Sequence, residues 1–254
     1  MLIGGVKLDE LALYDLTRER LRKSLSNQVP GDFDLEKAIT AYAYWVCTVM
    51  RNQGKDWEAA VQEYIDLALR DAVIESQAEQ AELELLRHEL YQFSGPLLDV
   101  GAGWGRFSSL YQECGLQAIY TEPSELGCRL LRRNTLCNSV RCLGQSLSLP
   151  FGAFNGTVIG WVLHHDAPDV PAAAILGEVA RVTASSGRLL SVEPLSDDFD
   201  TQKWCDLVDS AGFEVEKLVE FFDLSETKKK SEKYACLVAV RRSSGYSPRS
   251  QLAR

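Results

Sequence analysis

Residues 97–105 read Leu-Leu-Asp-Val-Gly-Ala-Gly-Trp-Gly, an apolar run that ends in an aspartate and then sets glycine on alternate positions. Glycine has no Cβ, so a turn built from it brings backbone close to a bound group and tolerates left-handed conformations. Roughly 20 residues after the first glycine, the segment Ala-Ile-Tyr-Thr-Glu ends a second apolar run at Glu122. A carboxylate at the tip of the strand beside such a turn can accept hydrogen bonds from both hydroxyls of a ribose. The chemistry implied is nucleoside binding. Gly101, Ala102, Gly103, Trp104 and Gly105 would form the turn, with Asp99 ahead of it and Glu122, followed by Pro123, as the sugar ligand.

A second constellation lies further along. Trp161 and the pair His164-His165 close an apolar run, and Glu193 closes the next one. Imidazole titrates near neutrality and can take a proton from a phenol, alcohol or amine. Successive residues leaving a strand point in different directions, so one histidine of the pair faces the cleft. Glu193 either orients that imidazole, contacts substrate, or is simply a solvated acid at a strand end. The cysteines are scattered, with no CxxC and no histidine spaced for zinc, so no metal site is read and the thiols are taken as free in a reducing compartment.

The elements that position these residues follow from pattern. From Ser94-Gly95-Pro96 onward, strand-like runs at 96–100, 117–122, 139–144, 156–163, 187–193, 213–222 and 234–241 alternate with helical patterns at 105–114, 124–135, 170–183 and 201–211. Repeated βα units imply an α/β fold, a mostly parallel seven-stranded sheet with helices on both faces. Ser225–Lys233 is charged and non-helical, so the last two strands are expected to form an antiparallel hairpin. The first 94 residues read as helical, with helices over Leu35–Arg51, Trp57–Arg70 and Ser76–Phe93 and capping signals at Gly31–Asp34 and Asp56. The expected organisation is a helical part at 1–94, a cofactor-binding domain at 95–242 and a loose tail at 243–254. Tyr42, Tyr44, Trp45, Trp57 and Tyr64 concentrate in the helical part, as core packing or as a lid over a substrate.

Five segments together resemble the class I S-adenosylmethionine-dependent methyltransferases, in particular their small-molecule branch. They are residues 97–105, Tyr120-Thr-Glu122, Ser148-Leu-Pro-Phe151, Val162-Leu-His-His165, and Glu178-Val-Ala-Arg181 followed by Ser186-Gly-Arg-Leu-Leu190. The resemblance covers about 91–242 and implies the strand order 3-2-1-4-5-7-6, with strand 7 antiparallel. It also implies S-adenosyl-L-methionine as cofactor, Asp99 near the cofactor's amino group, Gln145 and Ser146 against the adenine, and Trp161, at the end of the fourth strand, among the cofactor-binding residues. Gln145 is a departure, because the family commonly has an aspartate there; an amide oxygen still accepts a hydrogen bond, without charge. A nicotinamide-binding Rossmann domain also uses glycines and an acid, but its fingerprint is G-x-G-x-x-G, and the spacing here is G-x-G-x-G.

Composition bounds the partners. A net charge of −9 and a pI near 5.0 oppose a polyanionic partner, and basic residues come only in short clusters such as Lys228–Lys230. No run approaches a membrane span and the amino terminus is too short an apolar stretch for a signal peptide, so a cytoplasmic enzyme with a small-molecule acceptor is expected. A protein or RNA methyltransferase, and a cofactor-binding homologue that transfers no methyl, stay open as alternatives.

Overall fold

The structure is a computed structural model that describes residues 2–3, 6–29, 33–135, 139–168, 170–223 and 233–243. It divides into two compact units, Met1–Gln80 and Ala81–Arg254.

In the first unit, α1 (Glu10–Leu25) starts at Asp9, whose carboxylate accepts the Ala12 N–H at 2.7 Å. It buries Leu13, Tyr14, Thr17, Leu21 and Leu25, the spacing of one helical face. Helix α2 (Leu35–Gln53) is capped by Asp34 and stopped by Gly54 at φ +66°. Tyr42, Trp45 and Tyr64 pack on one another with ring centroids 5.7–6.1 Å apart, Tyr42 buried and the other two half-buried. Asp56 caps α3 (Trp57–Leu90) as expected, but the helix does not break near residue 70. No glycine or proline lies between Arg70 and Ser76, so nothing supplies a stop.

The second unit is the α/β part. Its strands are β1 (Leu97–Val100), β2 (Ala118–Thr121), β3 (Ser139–Val140), β4 (Phe154–Gly160), β5 (Thr183–Leu195), β6 (Phe213–Asp223) and β7 (Lys233–Arg241). The sheet order is β3-β2-β1-β4-β5-β7-β6, with only β7 antiparallel to its neighbours. This is the expected order, and β6–β7 is the expected hairpin. Helices α4 (Ser108–Glu113), α5 (Glu125–Thr135), α6 (Ala172–Val182) and α7 (Thr201–Ser210) flank it. The Ser225–Lys233 connector except Lys233, the tail beyond Ser243, and Gly31 and Asp32 lie outside the described residues.

Strand periodicity sorts β1 between two cores. Leu98 and Val100 pack with Ile159, Leu176, Val179, Leu189 and Trp204. Leu97 packs on the other side with Leu86, Leu90, Tyr111, Tyr120 and Leu131. Two expected elements are shorter than the pattern suggests. Helix α4 starts only at Ser108 because the glycine turn occupies the residues before it, and β3 pairs over two residues because the chain after it is pulled into a clamped loop. No helix among the described residues is long and apolar enough to cross a membrane.

Candidate active site

All three glycines of the turn after β1 have positive φ: Gly101 +73°, Gly103 +56° and Gly105 +89°. A Cβ on Gly101 would lie 2.6 Å from Val162 Cγ2, so the turn abuts the chain leaving β4. The amides of Gly101 and Ala102 both donate to the Thr121 carbonyl, at 2.9 and 3.0 Å, and stitch the turn to the tip of β2. The next residue is Glu122, which is buried. Its Oε2 accepts the Gly103 N–H and its Oε1 the Ser124 N–H, each at 3.0 Å. Gly127 of α5 makes room for it, since a Cβ there would lie 2.5 Å from Glu122 Cγ. Trp104 is half-buried and its carbonyl accepts Asn134 Nδ2 at 3.2 Å; Pro123 is exposed and its carbonyl accepts Arg141 Nε at 3.1 Å.

Asp99 takes the same face of β1 as Leu97 and is buried, where the Tyr111 hydroxyl donates to its Oδ2 at 2.9 Å. Burial pushes this carboxyl up to about 7; the Tyr111 hydrogen bond opposes the rise and the charge of Glu122 adds to it. The Tyr111 hydroxyl is itself held well above its ordinary range by burial and by Asp99. The sign of the consequence is fixed. A folded-state pKa above the unfolded value of 3.8 means that the contribution is full below about pH 4 and lost as pH rises through 7, a span of about 4 kcal/mol at most. Asp99→Asn should therefore gain about 2–3 kcal/mol on wild type between pH 5 and pH 8 in urea unfolding. Parallel pH dependences of the two proteins would contradict it.

After β3 the chain carries Gln145, half-buried, and Ser146, exposed, in a loop held from α6. Glu178 Oε2 accepts the Leu147 N–H at 2.8 Å, while Arg181 donates to the Leu147 and Leu149 carbonyls at 2.7 and 2.9 Å. Glu178 and Arg181 are also paired with each other, and that bond to Arg181 holds the Glu178 carboxyl below its usual range. These two residues of the sequence pattern thus act as a clamp on the Gln145 loop.

The tip of β4 holds the second constellation. Glu193, 0% exposed, accepts the N–H groups of Val162, Leu163 and His164 at 3.1, 3.0 and 3.3 Å, and meets His164 Nδ1 at 2.8 Å. It therefore organises a 3₁₀ turn over Leu163–His165 and orients the imidazole, which is the first of the roles considered for it; a solvated acid it is not. His164 keeps part of its ring exposed, His165 is exposed, and the two rings lie 4.0 Å apart. Trp161 meets His164 edge-on and stacks on Tyr234 at 5.3 Å. Its indole N–H donates to Glu82 Oε1 at 2.9 Å, and Arg106, ion-paired with Glu82, lies over its ring at 4.9 Å.

The structure thus joins Glu122 to the glycine turn, and joins Trp161, His164 and Glu193 to one another. It sets Asp99 beneath the turn against Tyr111. Sequence reasoning missed Glu82, Arg106, Tyr234 and Gly127. A signal existed for Glu82, a carboxylate on the helical face that it shares with Leu86 and Leu90 at spacings of four. Cys236 is pushed up to about 12 by burial, so it stays a thiol. No cluster of three or more His, Cys, Asp or Glu side chains suited to a metal occurs among the described residues.

Residues 98–191 match the model of a family described as a methyltransferase domain. No curated protein matches the chain. Among solved structures, the [4+2]-cyclase SpnF is similar with a TM-score of 0.55 and 16% identity, over 66% of this chain and 82% of that one. Geranyl diphosphate C-methyltransferase from Streptomyces coelicolor, in complex with Mg²⁺, geranyl diphosphate and S-adenosyl-L-homocysteine, is similar with a TM-score of 0.53 and 15% identity, over 68% and 84%. An S-adenosylmethionine-dependent methyltransferase from Methanosarcina mazei gives 0.52 and 16%, over 62% and 97%. At these identities the likeness is one of fold.

Proposed function

We infer that this chain, which carries a methyltransferase domain and uses S-adenosylmethionine, moves a methyl group to an oxygen, nitrogen or carbon nucleophile of a small molecule. The observation that carries this reading is the His164–Glu193 pair at the carboxyl edge of the sheet, two residues after Val162, whose side chain abuts Gly101. Ligands of open α/β sheets bind at that edge.

The residues present fit the cofactor. Positive-φ glycines make a turn with no Cβ in the way, and the carboxylate beside it already receives two N–H donors from its surroundings. A ribose diol, with two O–H donors, is a partner of the same kind. Glu122 would hold the ribose, the backbone of residues 101–105 the methionine and ribose portions, and Gln145 the adenine amino group through its amide oxygen. Bound there, S-adenosylmethionine supplies a methyl group on a sulfonium leaving group that needs no protonation to depart.

What is left for the protein is alignment, exclusion of water and one proton. Both oxygens of Glu193 accept from N–H groups, so His164 Nδ1 carries the hydrogen and Nε2 is the basic nitrogen. His164 would take the acceptor's proton there, while His165 and Trp161 shape the cleft. The acidic balance of the chain supports a small acceptor over RNA.

A second reading, a cofactor-binding catalyst that transfers no methyl, is supported by the neutral Gln145 and by a fold shared with a [4+2]-cyclase. One experiment separates the two. The chain is incubated with tritiated-methyl donor and cell extract, and the small-molecule, protein and RNA fractions are counted. Label in the small-molecule fraction is expected. Label confined to protein or RNA would overturn the acceptor class, and no label alongside intact binding of S-adenosylhomocysteine would establish the second reading.

A further inference from the structure

We propose that Glu82 is a positioning residue for the cleft, holding Trp161 against His164 through its bond to the indole N–H and holding Arg106 over the indole face; the proposal rests on the reading of that cleft as the reacting site. Glu82 is supplied by α3, outside the 98–191 segment that matches the methyltransferase domain.

Two costly features meet at this point. Trp161 has φ +60°, a left-handed conformation that is costly for a bulky residue and persists only where its surroundings over-determine it. Those surroundings are visible: the Glu82 hydrogen bond, the Tyr234 stack, the Arg106 guanidinium at 4.9 Å and the edge contact to His164. The second feature is Glu82 itself. Its side chain is 3% exposed and that of Arg106 16%, so both charges have left water. A buried ion pair is at best weakly stabilising relative to a well-packed apolar pair, because desolvation cancels the Coulomb gain. Stability alone would favour an apolar pair here and glycine or asparagine at 161. What the costly arrangement does secure is geometry. One carboxylate oxygen fixes the indole and the other the guanidinium, which lies over the indole face.

The second-best use of Glu82, a simple tie between α3 and the sheet, makes a different prediction. Leu90 lies on the same helix about two turns beyond Glu82, in the core, so its truncation loosens the tie between α3 and the sheet without removing a bond to Trp161 or Arg106. The full-length chain labelled with 5-fluorotryptophan is prepared as wild type, Glu82→Ala, Glu82→Gln and Leu90→Ala, and the Trp161 ¹⁹F resonance is identified by its loss in Trp161→Phe. Affinity for S-adenosylhomocysteine is measured at a temperature where near-UV circular dichroism reports every variant folded. Glu82→Ala should move the Trp161 resonance and weaken binding about tenfold, as the left-handed Trp161 loses the bond that holds it at the cleft. Glu82→Gln keeps an acceptor oxygen and should restore the resonance, and most of the affinity. Leu90→Ala should lower stability and leave both readouts at wild type. An unmoved resonance in Glu82→Ala, or equal losses of affinity in Glu82→Ala and Leu90→Ala, would overturn the proposal. If wild type failed to bind S-adenosylhomocysteine, the cofactor reading would fall, and the resonance alone would decide whether Glu82 positions Trp161.

Discussion

Glu122→Ala should raise the dissociation constant for S-adenosylhomocysteine about 10²–10⁴-fold in calorimetry. Each charge-assisted bond to a ribose hydroxyl contributes about 1.5–3 kcal/mol, and the substitution removes two acceptors at once. It also releases the Gly103 and Ser124 amides, which would then sit buried or half-buried without their partner. The turn loses its ligand and its brace together. Glu122→Gln separates the two effects. Its amide oxygen can keep one N–H partner, so the fold of the turn should survive while the affinity still falls by about tenfold or more. Unchanged affinity in both variants would remove the ribose assignment. The opposite control is Gly127→Ala, which leaves the carboxylate in place but drives a methyl into it, and it should weaken binding too.

The parts of this protein that were legible in the sequence are those set by short-range rules. The glycine turn was readable because left-handed backbone excludes almost every other residue, and three such positions in a row of five leave a plain trace. The mostly parallel sheet followed from alternation, its strand order from a resemblance, and the hairpin of β6 and β7 from a connector with no helical pattern. Glu193 was readable as a candidate, since it ends a strand, but not as the acceptor of three successive amides; that role depends on where a neighbouring strand places its last turn. The Glu82–Trp161 bond was out of reach for a stronger reason. Its partners stand 79 residues apart, and nothing local marks tryptophan as a left-handed residue. The undivided α3 was misjudged by the opposite error, a break assumed where no breaker stands. Length of β3 failed likewise, because the pull of Arg181 and Glu178 on the following carbonyls and amide is a long-range contact.

His164→Gln should lower methyl incorporation into the small-molecule fraction about 10²–10⁴-fold at neutral pH, the usual contribution of a positioned general base. The affinity for S-adenosylhomocysteine should change by no more than about twofold, because no donor ligand is assigned to this ring. The sharper test is its partner. Glu193→Gln leaves His164 in the chain but replaces one acceptor oxygen with an NH₂ group, which cannot accept from the Val162, Leu163 and His164 amides or from Nδ1. The imidazole is then free to carry its hydrogen on Nε2, the nitrogen that must be bare to take a proton. A loss in Glu193→Gln approaching that of His164→Gln, with the double variant no worse than either, is the signature of two residues acting as one unit. Additive losses would assign Glu193 to the backbone turn alone. Full activity in His164→Gln would move the proton elsewhere and leave the histidine pair as the shape of the cleft. His165→Gln discriminates within the pair: its ring stands 4.0 Å from that of His164, but it is His164 whose Nδ1 meets Glu193, so His165→Gln should retain most of the turnover.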